Sequence, residues 1–448
     1  MSKHTDKCTE LLFEIEKDPA IIEGFNHDST NSWVTVKNFI YERSLTHLGI
    51  EKQSISIYEI FFSLIIIATS LINYIRSLKK GNIPIFIGAG SGLIRLQNKV
   101  VDTYMSSSLK SHLCNQKFLY LTSADKPAKL IKLLPFIIKK KVIVYSYIVA
   151  PLRLLLKKKI YKNESQNNPK LASSANEIVR LFHAANINIK YNDIIQLHAR
   201  FIAGYRIFSV LLRPFSFSDC HIVSAYSNAE ICAVLKLKGT HITEVQHGII
   251  GPTHRGYNYH HTIKNIPTPD VIEVYDNFWK NQLLQANYFR ENQIKIQPRY
   301  KYETAKKISN ITNKSIIITG QSLRRDNVLK LIQDILDSDS KIQIIYAPHP
   351  NESKEYIASF LALEQKYPQL ILTSHFDHST ESWIMSCSAH VSIYSSCHFD
   401  SVHYHGKTYV YDVIPNNVMY YYCDNQPDSF IKFTNAIDLL KMINKNDE

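Results

Sequence analysis

KSIIITGQSLRRDNVLKLIQDILDSDSKIQIIYAPHP, residues 314–350, holds one full period of an alternating architecture. Ser315 to Thr319 form a short run rich in β-branched side chains that ends on Gly320. Val328, Leu331, Ile332, Ile335 and Leu336 then recur at three- and four-residue spacing, the period of an amphipathic helix. A second apolar run, KIQIIYA, ends on Pro348-His349-Pro350. Two apolar strands joined by such a helix need cover on both sheet faces, which is the parallel βαβ unit.

The alternation continues outward. LILTSHF leads to TESWIMSCS, HVSIYSS to FDSVHYHG and TYVYDV, and NAIDLLKMINK closes the chain as a helix. Upstream, DVIEVYD leads to NFWKNQLLQANYF. Further back, IPIFIGAGSG, KFLYLTSA, KVIVYSYIV, CHIVSAYS and HITEVQ read as buried strands, with helices at 57–78, between about 170 and 213 and at NAEICAVLKLKG. Residues 1–50 read as irregular with some helix. The expectation is α/β, two Rossmann-like doubly wound domains. The first spans 1–265 and the second 266–425, with 426–448 a closing helix that packs back toward the first. Pro267 and Pro269 in IPTPD mark a hinge between them.

The 448 residues, 45% hydrophobic and 20% charged, suffice for two or three ordinary cores. The formal net charge of +13 favours an anionic partner: nucleic acid, anionic lipid or a phosphorylated ligand. Seven scattered cysteines (8, 114, 220, 232, 387, 397 and 423), odd in number and without a CxxC pair, read as buried thiols in a reducing cytoplasm. MSKHTDKCTELLFEIEKD has no apolar signal core, so secretion is not expected. IYEIFFSLIIIATSLINYI (57–75) approaches spanning length but contains Glu59, Ser63, Thr69, Ser70 and Asn73; it reads as a buried helix, with membrane insertion the alternative. Lysines 139–141 and 157–159 interrupt apolar runs, which suits either a face on anionic headgroups or a solvated basic surface.

In an open parallel sheet, ligands bind beyond the carboxyl ends of the strands. In the second half those positions are Gly320-Gln321-Ser322, Pro348-His349-Pro350, Ser374-His375 and Ser395-Ser396. Gly320 lets backbone N–H groups approach a ligand. Arg324 and Arg325, at the start of a helix, oppose its dipole unless an anion lies near. Pro350 stiffens the chain around His349, which either donates to a phosphate or caps the next helix. Ser395 and Ser396 open a helix, where they seat an anion or act as plain N-caps. Asp400, on that helix's first turn, is placed for a ribose hydroxyl. His390, His398, His403 and His405 include HxH spacing but no compact cysteine or acidic set, so no metal site is expected.

In the first half, Gly88 to Gly92 lack both GxGxxG spacing and an acid at the ribose distance, so Gly90 and Ser91 read as a turn or as backbone near an acceptor. ITEVQHGIIGPTHRGY (242–257) runs from an apolar strand into a basic, glycine-punctuated loop. His247 and Glu244 are the candidate bases for an acceptor hydroxyl. Gly248, His254, Arg255 and Tyr257 add backbone, cationic and hydrogen-bonding contacts, or else the segment is a plain interdomain loop.

Tandem Rossmann-like domains, with a His-Pro after one strand and a Ser-Ser after the next but one, resemble the bacterial nucleotide-sugar glycosyltransferases of the GT-B architecture. EVQHGII looks like a segment of transferases that build capsules and O-antigens. YAPHP and SIYSS resemble the His-Pro and Ser/Thr motifs of CMP-sugar enzymes, the sialyltransferases and Kdo transferases. The resemblance implies domains facing a cleft, with CMP held by His349, Pro350, Ser395 and Ser396. The chain has no Asp/Glu-Asp/Glu-Gly motif, which weighs toward Kdo or another sugar and away from sialic acid. The implied reaction moves a sugar from CMP-Kdo, or a similar CMP-ulosonic acid, to a surface-polysaccharide or lipid-linked glycan of lipopolysaccharide type. Positive charge and helix N-termini, rather than a metal, would stabilise the leaving phosphate. The nucleotide-sugar would be substrate and no cofactor resident. The enzyme would be cytoplasmic, peripheral on an anionic inner membrane face. The rivals are a UDP- or GDP-sugar hexosyltransferase, a nucleotide-sugar epimerase, a polyol-phosphate transferase and, from another class, a basic nucleic-acid binder. No nucleic-acid motif is recognisable, so no such partner is expected.

Overall fold

The computed structural model describes residues 3–444 apart from 46–56, 79–80, 90–92, 97–98, 103, 106–117, 124–129, 131–132, 141, 252–253, 260–262, 287, 298–304, 322–323, 350–351, 353, 377 and 415–416. Gly90, Ser91, Ser322 and Pro350 therefore lie outside the described residues. The chain divides into two compact units. One is Lys3–Arg95 with Val100–Tyr300, and the other is chiefly Lys301–Glu448.

The first unit holds a seven-stranded sheet of β1 (Ile83–Gly88), β2 (Leu119–Thr122), β3 (Ile143–Val144), β4 (Phe217–Val223), β5 (His241–Val245), β6 (Val271–Val274) and β7 (Ile294–Ile296). Its order is β7-β6-β5-β4-β1-β2-β3, parallel at every pairing. The second unit holds a six-stranded sheet of β8 (Ser315–Thr319), β9 (Gln343–Ala347), β10 (Leu370–Leu372), β11 (Ala389–Ser392), β12 (Thr408–Tyr411) and β13 (Phe430–Phe433). Its order is β10-β9-β8-β11-β12-β13, again all parallel. The second sheet runs third-second-first-fourth-fifth-sixth, the doubly wound Rossmann order, and the first follows the same order with a seventh strand added at its edge. The α/β class expected from the alternation is the one observed.

Strand composition follows from this layering. β1 is buried at all six residues and β8 at all five, because helices cover both faces. In the second unit the helix Arg325–Ser338 lays Val328, Leu331, Ile332, Ile335 and Leu336 on the sheet, the stripe its sequence spells.

Three expectations are corrected. The domain boundary at 265/266 falls between β5 and β6, which are neighbours in one sheet, with Val271 paired to Thr243. Pro267 and Pro269 thus lead into a strand of the first unit, and the second unit begins at Lys301. The closing helix, Ala436–Asn444, puts Ala436 and Leu439 into the second unit's own core beside the helix Arg325–Ser338, and β13 lies within the segment expected to be separate. Residues 1–50 are largely helical where described: in Lys3–Lys17, Cys8, Leu12 and Ile15 form a buried stripe. A buried ion pair joins that helix to Trp33–Leu45, with Lys37 Nζ 2.7 Å from Glu16 Oε1, and Trp33 Nε1 donates to the same oxygen at 2.9 Å.

Candidate functional site

In a sheet of this order, ligands seat beyond the two strands whose connections leave in opposite directions. In the second unit these are β8 and β11. Gly320 leaves β8, and Ser395 and Ser396 follow β11. The Gly320 N–H donates to Ala347 O at 2.8 Å, extending the β8–β9 ladder by one residue. A Cβ at Gly320 would stand 2.4 Å from Glu352 Oε1 and 2.5 Å from the Tyr346 hydroxyl oxygen. A larger residue there would have to displace one of these side-chain ends. The Tyr346 hydroxyl lies 2.9 and 3.0 Å from the two Glu352 oxygens, and its ring stacks on Phe360 with centroids 3.8 Å apart.

Glu352 is the member that sequence reasoning missed. Its only signal was PHPNE, an acid three residues beyond the histidine. Its backbone N–H donates to His349 O at 2.9 Å, closing a tight turn that holds both side chains. Burial raises the Glu352 carboxyl to about 7, while the Tyr346 hydroxyl, the His349 amide and the Arg325 charge oppose the rise. Burial lowers the His349 imidazole, so it is neutral at pH 7 and acts as a hydrogen-bond donor or acceptor rather than a cation.

Arg325 opens the following helix half-buried, whereas Arg324 is exposed at its N-cap with φ 55° and ψ 38°. A non-glycine residue in that left-handed region is strained, and such strain concentrates at functional turns. Gln321 is buried beside Gly320. Ser395 Oγ accepts the Cys397 N–H at 3.2 Å, and Ser396 makes no side-chain capping bond to its helix. Both serines are half-buried.

Two expected members fall elsewhere. Asp400 is fully buried, with its charge acting on the interior His390, so it presents nothing to a ribose. His375 follows the edge strand β10, exposed and paired with Glu364 at 3.1 Å. The histidines that suggested HxH ligation also part company. His390 and His398 are fully buried and share Thr408 Oγ1 at 2.8 and 2.7 Å, and His390 reaches Thr319 Oγ1 at 3.0 Å. His405 Nε2 instead lies 2.7 Å from Ile384 O, and His403 is exposed. Among the described residues no group of three His, Cys, Asp or Glu side chains is arranged to hold a metal.

In the first unit the basic loop leaves β5 and returns to β6. Glu244 and Gln246 share a face, as strand alternation requires, and both are fully buried. Gln246 is an anchor: its Oε1 accepts the Tyr275 N–H at 3.0 Å, and its Nε2 donates to Gly248 O at 2.9 Å. Tyr257 donates to Glu244 Oε1 at 2.5 Å. Burial raises Glu244 to about 8, against the opposing pull of Tyr257 and the amides of Ala225 and Ser224. At pH 7 it is a buried neutral acid, unable to meet an acceptor directly.

Tyr226, also missed in the sequence, is the hub of this loop. It sits in the 3-10 turn Ala225–Asn228 after β4, with its ring 6.0 Å from His247, 5.4 Å from His254 and 5.5 Å from Tyr257. Its hydroxyl is 3.3 Å from His247 Nε2. His254 stacks on Tyr257 at 4.5 Å, and its Nδ1 accepts the Gly256 N–H at 3.1 Å, which leaves the neutral ring's proton on Nε2. Burial, with Arg255 and His247 near, lowers His254 to about 3. The Arg255 guanidinium lies over the Tyr41 ring at 5.2 Å. His247 and Gly248 are half-buried.

A Cβ at Gly256 would lie 2.3 Å from Tyr226 Cδ1. Gly256→Ala must therefore displace a rigid ring packed on three neighbours, and is expected to cost about 1–3 kcal/mol. The urea midpoint measures it; an unchanged midpoint would mean that Tyr226 is free to swing.

No family model matches the chain. No curated protein matches it either. Its fold is similar to several solved structures. One is the Methanocaldococcus jannaschii UDP-GlcNAc 2-epimerase in complex with UDP-GlcNAc and UDP, at 11% identity over 81% of this chain and 92% of that chain, TM-score 0.45. Another is a putative UDP-N-acetylglucosamine 2-epimerase from Listeria monocytogenes, at 10% identity over 82% and 89%, TM-score 0.46. A third is a wall teichoic acid polymerase, at 11% identity over 87% and 88%, TM-score 0.40. With TM-scores below 0.5, the reaction of this chain has to be read from its own residues.

Proposed function

We propose that the chain is a nucleotide-sugar-dependent glycosyltransferase of GT-B type, with a CMP-activated ulosonic acid such as CMP-Kdo as donor and a surface or lipid-linked glycan as acceptor. The observation that carries this reading is the strand-end cluster of the second unit. Gly320, Arg325, His349 and Glu352 surround the end of β8, and Ser395 and Ser396 follow the adjacent β11. Such a cluster combines hydroxyl, amide and imidazole donors with guanidinium charge, the set a nucleotide phosphate requires. Neutral His349 donates to a phosphate oxygen, Arg324 and Arg325 balance its charge, and Ser395 and Ser396 bind through hydroxyl and amide. In the first unit, His247 takes the proton of the acceptor hydroxyl; Glu244, sealed beneath Tyr257, positions the loop instead.

Thermal melting with CMP, UDP and GDP tests the donor. CMP is expected to raise the melting temperature by several degrees at about a hundredfold excess over its dissociation constant, and UDP and GDP by less. A shift with UDP alone would replace the donor and leave the reaction class. No shift with any nucleotide would end the reading. Turnover of a nucleotide-sugar without acceptor, giving an epimerised sugar, would make the chain an epimerase.

A further inference from the structure

Two neighbouring helices of the first unit expose large apolar side chains, and one of them buries a polar seam. On Ile57–Ser77 the buried stripe is Ile66, Ser70, Asn73 and Ser77, at successive helical turns. Asn73 Nδ2 donates to Ile137 O at 3.1 Å and Val142 O at 2.9 Å, and Ser70 Oγ accepts the Val144 N–H at 3.1 Å. The side away from this polar seam carries Phe61, Leu64, Ile72 and Ile75, between 48% and 63% exposed. The helix Tyr145–Asn167, which packs against the first, buries Val149, Ile160 and Glu164, and Arg153 turns inward to Glu230 at 3.4 Å. Its outer side carries Leu154 and Leu155, 71% and 75% exposed. An amphipathic helix of a water-facing surface does the reverse, and apolar exposure on this scale marks a contact surface.

Charge decides the partner. Arg76, Lys139, Lys158 and Lys159 are exposed on or beside these helices. A second copy of the chain would bring these cations face to face across a two-fold axis. A nucleic acid would match the charge but leave the leucines in water. An anionic bilayer takes both, with apolar side chains at the acyl boundary and lysines among the headgroups. Among the described residues no helix is long and apolar enough to cross a membrane, so the contact lies along the surface. We propose that the helices Ile57–Ser77 and Tyr145–Asn167 form a docking face for an anionic lipid bilayer. The proposal is independent of the nucleotide reading, because its test contains no sugar.

The test is flotation of the full chain with vesicles of phosphatidylcholine, with or without phosphatidylglycerol. Binding is expected to the anionic vesicles, at least about tenfold tighter than to the neutral ones. The double change Leu154→Glu with Leu155→Glu touches no core residue and is expected to weaken that binding at least about tenfold. Lys158→Gln with Lys159→Gln is expected to narrow the gap between the two vesicle types. If the glutamate variant fails to fold, Leu155→Trp replaces it, and the added indole's fluorescence should shift to the blue on anionic vesicles. Equal binding to both vesicle types, wild-type binding by the glutamate variant, or an indole spectrum unmoved by lipid in the Leu155→Trp variant would overturn the proposal. So would a soluble dimer that the glutamate variant dissociates.

Discussion

His349→Ala is expected to lower kcat/KM for the proposed sugar transfer by about a hundred- to a thousandfold, the range seen when one preorganised donor to developing negative charge is removed. Burial keeps this imidazole neutral, so its contribution is a directed hydrogen bond rather than a long-range charge. Directed bonds are lost entirely when the side chain is cut back to Cβ. The turn that carries it should survive, because His349 engages Glu352 through its own carbonyl oxygen and backbone amide, which alanine retains. Stability is therefore expected to change by less than about 1 kcal/mol, as for a half-buried side chain outside the core. Steady-state kinetics beside a urea melt separates the two effects. Undiminished turnover would take the β9 loop out of the reaction.

The second large effect is on stability against pH. His254 and His390 are each held near 3 by burial, against 6.5 in the unfolded chain, and His398 is lowered in the same direction. Between those values the unfolded chain binds more protons, so stability rises with pH and this contribution is complete above 6.5. Glu244 works the other way, at about 8 folded against 4.5 unfolded. The folded chain keeps a proton that the unfolded chain has released, so stability falls as pH climbs through that window. Glu352, raised to about 7, adds to the fall. Among these five groups, the three histidines outweigh the two carboxyls up to pH 6.5, and above it the carboxyls prevail. The unfolding free energy is expected to peak near pH 6.5. It should be lower by several kcal/mol at pH 4, and by about 2 kcal/mol at pH 8 from Glu244 alone. Urea midpoints from pH 4 to 9 measure the profile. Glu244→Gln should flatten its alkaline limb, and a limb unaffected by that change would assign the fall to other groups.

Five strands of the second sheet, β8 to β12, were legible because they are largely buried on both faces and so are spelled as short apolar runs, whereas the edge strand β13, with Lys432 exposed, was not. The edge of the first sheet was also less legible. VIEV and IKI carry the same signature whether they begin a new sheet or finish an old one, and the choice is made by pairing across nearly thirty residues, Val271 to Thr243. Pro267 and Pro269 looked like a hinge because proline reports a local turn and nothing of what the turn connects. The site divides in the same way. Strand ends marked Gly320, His349, Ser395 and His247 as the candidates. Tyr346 and Glu352 crowd Gly320 from β9 and the loop after it, and Tyr226 meets His247 from the turn after β4; contacts of that kind leave no periodic trace in the chain. Asp400 was misplaced for a simpler reason: each residue turns a helix by about 100°, so being on the first turn does not say which way a side chain faces.

The loop around His247 is stitched at both ends. Gln246 is tied to Tyr275 on one side; on the other, Tyr257 is bonded to Glu244 and Asn258 O accepts Lys37 Nζ at 2.5 Å. A backbone fastened so closely works as a mould and not as a glove. In the proposed transferase, changes of acceptor preference at this loop would have to come from exchanging the half-buried His247, with the casting beneath it left as it is.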